Sequence, residues 1–238
     1  VAAMTGLHRL LGTWSTKVSA YVTLTEFARQ KFIQGGLPAD KLFVKPNFVV
    51  QDPGYNHEQD GYFLFVGRLI QEKGVLTLLD AWEKLGYAIP LKVVGQGPLA
   101  SEARRRVTVL TGVEYLGYRP LSEVHHLLKR ARALIFPSQC YETFGRVVVE
   151  AFAAGKPVIA ANLGAAGELV EHGKTGLHFI ARDPADLAVK VLWAWNNPEQ
   201  FAHMGLQARK EYEAKYTAER NYARLMEIYT VAKGMATA

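Results

Sequence analysis

The chain has 238 residues, with 28 Lys and Arg against 22 Asp and Glu, a net charge of +6. Its 49% hydrophobic and 21% charged residues exclude wholesale disorder, and the length suits between one and two domains. The single cysteine, Cys140, excludes an internal disulfide and a Cys-based zinc site, and no apolar run approaches the ~18 residues of a membrane-spanning helix.

Residues 1–14 read as a helix with Leu7, Leu10, Leu11 and Trp14 on one side. Residues 20–24 read as a short strand. Residues 25–34 read as a helix stopped by Gly35-Gly36, and residues 41–45 as another strand. Residues 46–60 hold two Pro, one Gly, two Asn and two Asp, which marks a linker. After it the pattern becomes regular. Strands are expected at 62–66, 91–94, 113–116, 133–136, 158–161 and 176–180. Helices are expected at 75–85, 99–110, 121–130, 144–154 and 166–172. Continuously apolar strands alternating with helices predict an α/β fold, a Rossmann-like parallel sheet with helices on both faces. Residues 183–232 read as helical throughout, with Asp183-Pro184 and Asn197-Pro198 as helix starts.

In such a sheet, ligands bind beyond the carboxyl ends of the strands, so the strand-to-helix loops carry the chemistry. The first is Phe65-Val66-Gly67-Arg68-Leu69-Ile70-Gln71-Glu72-Lys73-Gly74. Gly67 lets a ligand approach the backbone. Arg68 and Lys73 are two cations suited to a diphosphate, or else two solvated loop cations. The second loop, Gly95-Gln96-Gly97-Pro98-Leu99-Ala100, fits a G-x-G-x-x-A dinucleotide fingerprint, with Glu114 nineteen residues beyond Gly95. Against that reading, its strand is the second of the domain and Pro98 removes an N–H. A tight turn with Pro at a helix start explains it equally.

The third loop runs from Phe136-Pro137-Ser138 to Glu150-Ala151-Phe152. Thr143, Phe144 and Gly145 are expected to present free N–H groups at a helix N-terminus, an anion site, with Glu142 just before it. Glu150 follows among Val147, Val148, Val149, Ala151 and Phe152. A carboxylate there is costly unless hydrogen-bonded. A ligand with hydroxyls on one side and phosphates on the other, a nucleotide sugar, meets both needs. The alternatives are a structural pair between Glu150 and a cation of another helix, and a solvated or helix-start role for Glu142.

Glu142 and Glu150, with Phe144-Gly145 between them, resemble the E-x7-E signature of retaining glycosyltransferases of family 4, which have the GT-B fold. The resemblance extends over Phe65–Gly74, Val93–Gly97, Tyr115-Leu116-Gly117, Phe136-Pro137-Ser138, residues 150–159 and Glu168-Leu169-Val170, in the family's order. Residues 163–168 depart from it, since many relatives have paired glycines before Glu168. The resemblance implies that Arg68 and Lys73 hold the donor diphosphate and stabilise its charge as it leaves. It implies that Glu150 receives ribose hydroxyls. Glu142, with the N–H groups of Thr143, Phe144 and Gly145, holds sugar and phosphate, in a positioning and electrostatic role. Tyr118 and Arg119 meet the base, and Gly97 lets the backbone approach the nucleotide. Catalytic duty falls on Glu142, Arg68 and Lys73.

The resemblance implies transfer of a hexose-type sugar, with retention, to a carbohydrate or lipid-linked acceptor. The nucleotide-diphosphate sugar is substrate, and no cofactor or metal is expected. The seven histidines show no metal-ligand spacing, and His125-His126 reads as surface or partly packed. A nucleotide-binding domain inactive by itself, a nucleotide-sugar epimerase and, more distantly, an NAD-dependent oxidoreductase remain alternatives. Residues 1–48 resemble the closing elements of an acceptor-side N-terminal domain, 49–60 the linker, and 61–238 the nucleotide-sugar-binding domain with its C-terminal helices. Two facing domains need roughly 300–400 residues, so the chain, which starts at Val1, is expected to lack most of that N-terminal partner and to transfer nothing unaided. No nucleic-acid-binding pattern accompanies the basic clusters 104–106 and 129–132, so nucleic acid is not an expected partner. No secretory pattern is visible. The expected location is the cytoplasm, with the basic clusters offering peripheral contact to acidic lipid at the inner face of the membrane.

Overall fold

The computed structural model describes residues 2–55, 60–86 and 89–237. The expected helix start at Val1 and residues 56–59 of the expected linker lie outside the described residues. The first expected helix is in fact two, α1 (Ala2–Leu10) and α2 (Thr13–Thr16), because Gly12 takes φ +63° between them. Leu7, Leu10 and Leu11 remain exposed. Next come β1 (Tyr21–Thr23), α3 (Glu26–Gln34) and β2 (Leu42–Val44), with the two strands paired in parallel, Tyr21 beside Leu42. The Thr25 hydroxyl caps α3 by accepting the Ala28 N–H at 3.1 Å.

The main sheet has six parallel strands: β3 (Phe63–Val66), β4 (Leu91–Val94), β5 (Val113–Gly117), β6 (Ala133–Phe136), β7 (Val158–Ala161) and β8 (Gly176–Phe179). Its order is β5-β4-β3-β6-β7-β8. The chain winds outward from β3 to β5, then returns to lay β6 on the other side of β3. The carboxyl ends of β3 and β6 therefore flank the crevice where the winding direction switches, the usual ligand position in this architecture.

Among the described residues, eight helices follow the strands: α4 (Val75–Leu85), α5 (Ala100–Val107), α6 (Leu121–Arg130), α7 (Arg146–Ala153), α8 (Gly164–Leu169), α9 (Pro184–Asn196), α10 (Pro198–Lys215) and α11 (Ala218–Thr237). Alternate strand residues feed two cores. Phe63, Phe65, Ile135 and Ile159 pack with α4 and α9, through Leu78, Leu79 and Val191. Leu64, Leu134, Phe136 and Val158 pack on the opposite face with α6 and α7, through Leu128, Val148 and Phe152. Burial on both faces is why these strands are continuously apolar.

Several boundaries differ from expectation for local reasons. α7 starts at Arg146 because Gly145, at φ +109°, cannot continue a helix backward. α8 spans Gly164–Leu169, not 166–172, because Val170 is extended and His172 bridges to Gly176. α5 stops at Val107, short of residue 110. The helical region expected over 183–232 is three helices: the break at Asn197 falls at the expected helix start, and a further break falls at Tyr216-Thr217.

The linker is clamped at both ends. On α11, Asn221 receives Lys45 Nζ at 3.0 Å and donates to the Pro46 carbonyl at 2.5 Å, and Arg224 donates to the Val44 carbonyl at 3.2 Å. Further along, the Val49 N–H donates to the Tyr216 carbonyl at 3.2 Å and Arg209 of α10 holds Asp52 at 2.7 Å. The basic clusters are largely engaged inside the protein. Arg105 pairs with Glu102, Arg106 with Asp80 and Glu83, and Arg130 with Asp60. Arg132 donates to the Ala194 and Trp195 carbonyls and lies over the Trp195 ring. No helix among the described residues is long and apolar enough to cross a membrane.

Candidate functional site

β3 ends at Val66, and Gly67-Arg68 lead into a single 3-10 turn, Gln71–Lys73. Gly74 closes that turn at φ +72°, and a Cβ there would run into the Pro137 carbonyl. Only glycine lets this turn lie against the chain leaving β6. The contact is sewn shut by the Gln139 N–H, which donates to the Glu72 carbonyl at 2.7 Å, and by Gln139 Nε2, which donates to Thr77 Oγ1 at 2.6 Å.

Two loops far apart in sequence are thereby joined. Lys73 Nζ lies 2.5 Å from Glu142 Oε1, and the Ser138 hydroxyl donates to the same oxygen at 2.5 Å. Beside this pair opens a cleft of about 320 Å³. Its walls include Gly67, Lys73, Glu142, Thr143, Phe144 and Gly145. Six of the expected site residues thus converge at the switch point between β3 and β6. Among the described residues, the N–H groups of Thr143, Phe144 and Gly145 have no protein acceptor. They stand just ahead of α7 rather than in its first turn, and the helix dipole adds partial positive charge there.

Two polar residues of the cleft, Asn47 and Arg146, were not among the expected site residues. Asn47 belongs to the linker, whose composition marks only a loop. Arg146 opens α7, and Ser138, read in the sequence only as part of the Phe136-Pro137-Ser138 motif, meets the site through Glu142. The side chains of Asn47 and Arg68 have no hydrogen-bond partner among the described residues, and Arg68 is exposed beside Gly67.

Glu150 is 8% exposed, one turn into α7 from Arg146. Burial holds its carboxyl above the ordinary value, opposed by the positive charge of Arg146 and by His125. The Arg146 guanidinium is 3.7 Å from Glu150 Oε1. The pairing cation is therefore one turn away on the same helix, not on another helix. His125 of α6 has a buried Nε2 without a hydrogen-bond partner.

The remaining expected residues stand apart from the cleft. Tyr118 is exposed after β5. Arg119 pairs with Glu123 at 3.3 Å and lines a separate depression with Leu116 and His126. Gly97 packs on the backbone of Leu69, as Gly95 does on the Gly67 carbonyl, with the Leu99 N–H donating to the Leu69 carbonyl at 2.9 Å. Both glycines are accounted for by the close approach of the β3 and β4 loops.

The model for the family described as "Glycosyl transferases group 1" matches residues 51–211. The chain belongs to that family. An uncharacterized glycosyltransferase of Methanocaldococcus jannaschii is 33% identical over 192 residues, covering 80% of this chain and 54% of the relative. D-rhamnosyltransferase WbpZ of Pseudomonas aeruginosa is 35% identical over 161 residues, covering 66% and 42%. Glycogen synthase of Mycobacterium tuberculosis is 34% identical over 177 residues, covering 71% and 42%. The chain thus spans about half the length of these curated relatives.

Among solved structures, Anabaena Alr3699/HepE in complex with UDP superposes with a TM-score of 0.76 at 23% identity, over 92% of this chain and 63% of that one. Sucrose-phosphate synthase from Thermosynechococcus elongatus gives 0.77 at 22% identity, over 91% and 58%. These likenesses establish the fold, that of the GT-B glycosyltransferases.

Proposed function

We propose that this chain is the donor-binding portion of a retaining hexosyltransferase that uses a nucleotide-diphosphate sugar. The observation that carries the reading is the Lys73–Glu142 pair beside the unpartnered N–H groups of residues 143–145, set at the switch point between β3 and β6. Cations and free N–H donors suit a diphosphate, and a carboxylate beside them suits sugar hydroxyls. Membership of the family and a UDP complex of a protein with the same fold support it further.

In this reading Arg68 and Lys73 hold the diphosphate through Gly67's open approach, and take up its charge as the sugar leaves. The N–H groups of Thr143, Phe144 and Gly145 add donors that need no reorganisation at that moment. Glu142 positions the sugar, Glu150 receives the ribose hydroxyls, and Tyr118 and Arg119 lie toward the base. Gly97 keeps the loop thin on the nucleotide side. Retention follows if leaving diphosphate and incoming acceptor share one sugar face. The acceptor is a carbohydrate or a lipid-linked glycan, and the reaction belongs in the cytoplasm. Residues 1–48 close an acceptor-side domain, 49–60 form the linker and 61–238 the donor domain. Peripheral contact with acidic lipid would draw on the basic clusters, several of whose cations pair with carboxylates of the same chain.

Calorimetric titration of the chain with UDP, GDP, ADP and NAD tests the reading. A nucleoside diphosphate should bind, and Arg68→Ala should weaken it several-fold. Binding of NAD with none of the diphosphates would overturn it.

A further inference from the structure

We infer that the carboxamide of Asn47 recognises a hydroxyl of the transferred sugar, which makes the segment between β2 and β3 part of the donor site. This rests on the reading of the cleft as a nucleotide-sugar site and assigns one end of that ligand.

Three observations carry it. Asn47 lines the cleft together with Lys73, Glu142 and residues 143–145, not the depression beside Arg119. Its side chain has no hydrogen-bond partner among the described residues, so both its donor and acceptor are unspent. It is also held in place without using that side chain. Immediately before it, Asn221 and Arg224 of α11 grip the linker backbone at Pro46 and Val44, and just beyond it Tyr216 and Arg209 grip Val49 and Asp52. The backbone carrying the carboxamide is thus already ordered, so only its side-chain torsions remain to be fixed by a ligand.

The chemistry of the cleft decides which part of the ligand it meets. A diphosphate only accepts hydrogen bonds, and Lys73, Arg68 and three N–H groups already supply donors. A sugar hydroxyl both donates and accepts. The Asn47 amide offers both functions, as the Thr143 hydroxyl also can, and its planar NH2 and C=O let it do so at adjacent positions. The geometry therefore places the sugar between Asn47 and Glu142, with the diphosphate toward Gly67 and Gly145.

The test uses the 238-residue chain, the pairs UDP with UDP-glucose and GDP with GDP-mannose, and calorimetry. Asn47→Ala and the near-isosteric Asn47→Leu should bind the nucleoside diphosphate within about twofold of wild type, yet lose about fivefold in affinity for the sugar nucleotide. Thermal unfolding should be unchanged in at least one variant, because the carboxamide holds nothing within the protein. Sugar-nucleotide affinity unchanged in both variants, or an equal loss for both ligands, overturns the assignment while Arg68→Ala still upholds the site. A wild-type chain that binds neither pair overturns the assignment and the site reading together.

Discussion

Lys73 and Glu142, 69 residues apart in sequence, share one short ion pair, Nζ to Oε1 at 2.5 Å, and each is the other's charged partner. The side chains are 29% and 13% exposed, so solvent screens the pair only partly. The lysine is therefore not an idle cation awaiting phosphate. In the proposed reading an incoming diphosphate competes with Glu142 for it, and the Ser138 hydroxyl bonds the same carboxylate oxygen.

This pairing sets opposite signs for two substitutions. Lys73→Met removes a charged donor and should weaken nucleoside diphosphate binding by roughly 10- to 100-fold, the worth of a charge-assisted hydrogen bond. Glu142→Gln frees the lysine and should leave that affinity unchanged or raise it, while slowing hydrolysis or transfer of the sugar. Calorimetry on both variants checks this. A loss in Glu142→Gln equal to that in Lys73→Met would show that the pair does not control diphosphate binding.

Glu150 should show a trade between stability and binding. Burial raises its carboxyl pKa above the ordinary value, so the folded protein holds the proton to higher pH than the unfolded chain does. Its contribution to stability is thus largest at low pH and declines as pH rises through the ordinary carboxylate range. Glu150→Gln should raise the melting temperature at pH 7 but not at pH 4, and still bind nucleotide more weakly. Melting curves at the two pH values, with titrations at pH 7, check this; an equal effect at both pH values would mean that burial does not perturb the Glu150 carboxyl.

Lys156 is 1% exposed, and burial pushes its ammonium down to about 8, with Asp60 pulling modestly the other way. Between pH 8 and the ordinary lysine value, the unfolded chain carries a proton that the folded chain does not. Stability conferred at this position therefore rises with pH across that window. Wild type should gain on Lys156→Met between pH 7.5 and 10 by something on the order of 2–3 kcal/mol, read from urea unfolding at each pH. A constant difference across the window would mean that the amine is not desolvated.

The sequence made the layout of the sheet domain legible because buried parallel strands are apolar throughout. Ala133–Phe136 and Val158–Ala161 formed as read. The helices flanking them followed from periodicity, and Asp183-Pro184 marked its helix start correctly, with Asp183 accepting the Ala185 and Asp186 N–H groups. What composition could not convey was adjacency. That β6 lies against β3 decides that Lys73 meets Glu142, and nothing local to either loop announces it. Asn47 was hidden for the same reason, since a linker residue acquires its surroundings only after both ends are tied. Arg106 looked like part of a basic patch until α4 brought Asp80 and Glu83 beside it.

The Glu168 carboxylate accepts the backbone N–H groups of Glu26 and Phe27 at 2.8 and 2.6 Å, so an acid of α8 caps the first turn of α3. Nearby, the Phe27 ring packs at a tilt against Tyr141, the residue before Glu142, with ring centroids 4.9 Å apart. Evolutionary and mechanical borders consequently fall in different places. The family match begins at residue 51, but a fragment trimmed there would strand Glu168, unseat Tyr141 and take Asn47 from the cleft. Anyone wishing to shorten this protein should cut well upstream of α3, since the smallest piece that keeps the Glu142 loop in place includes a helix that the family's own outline omits.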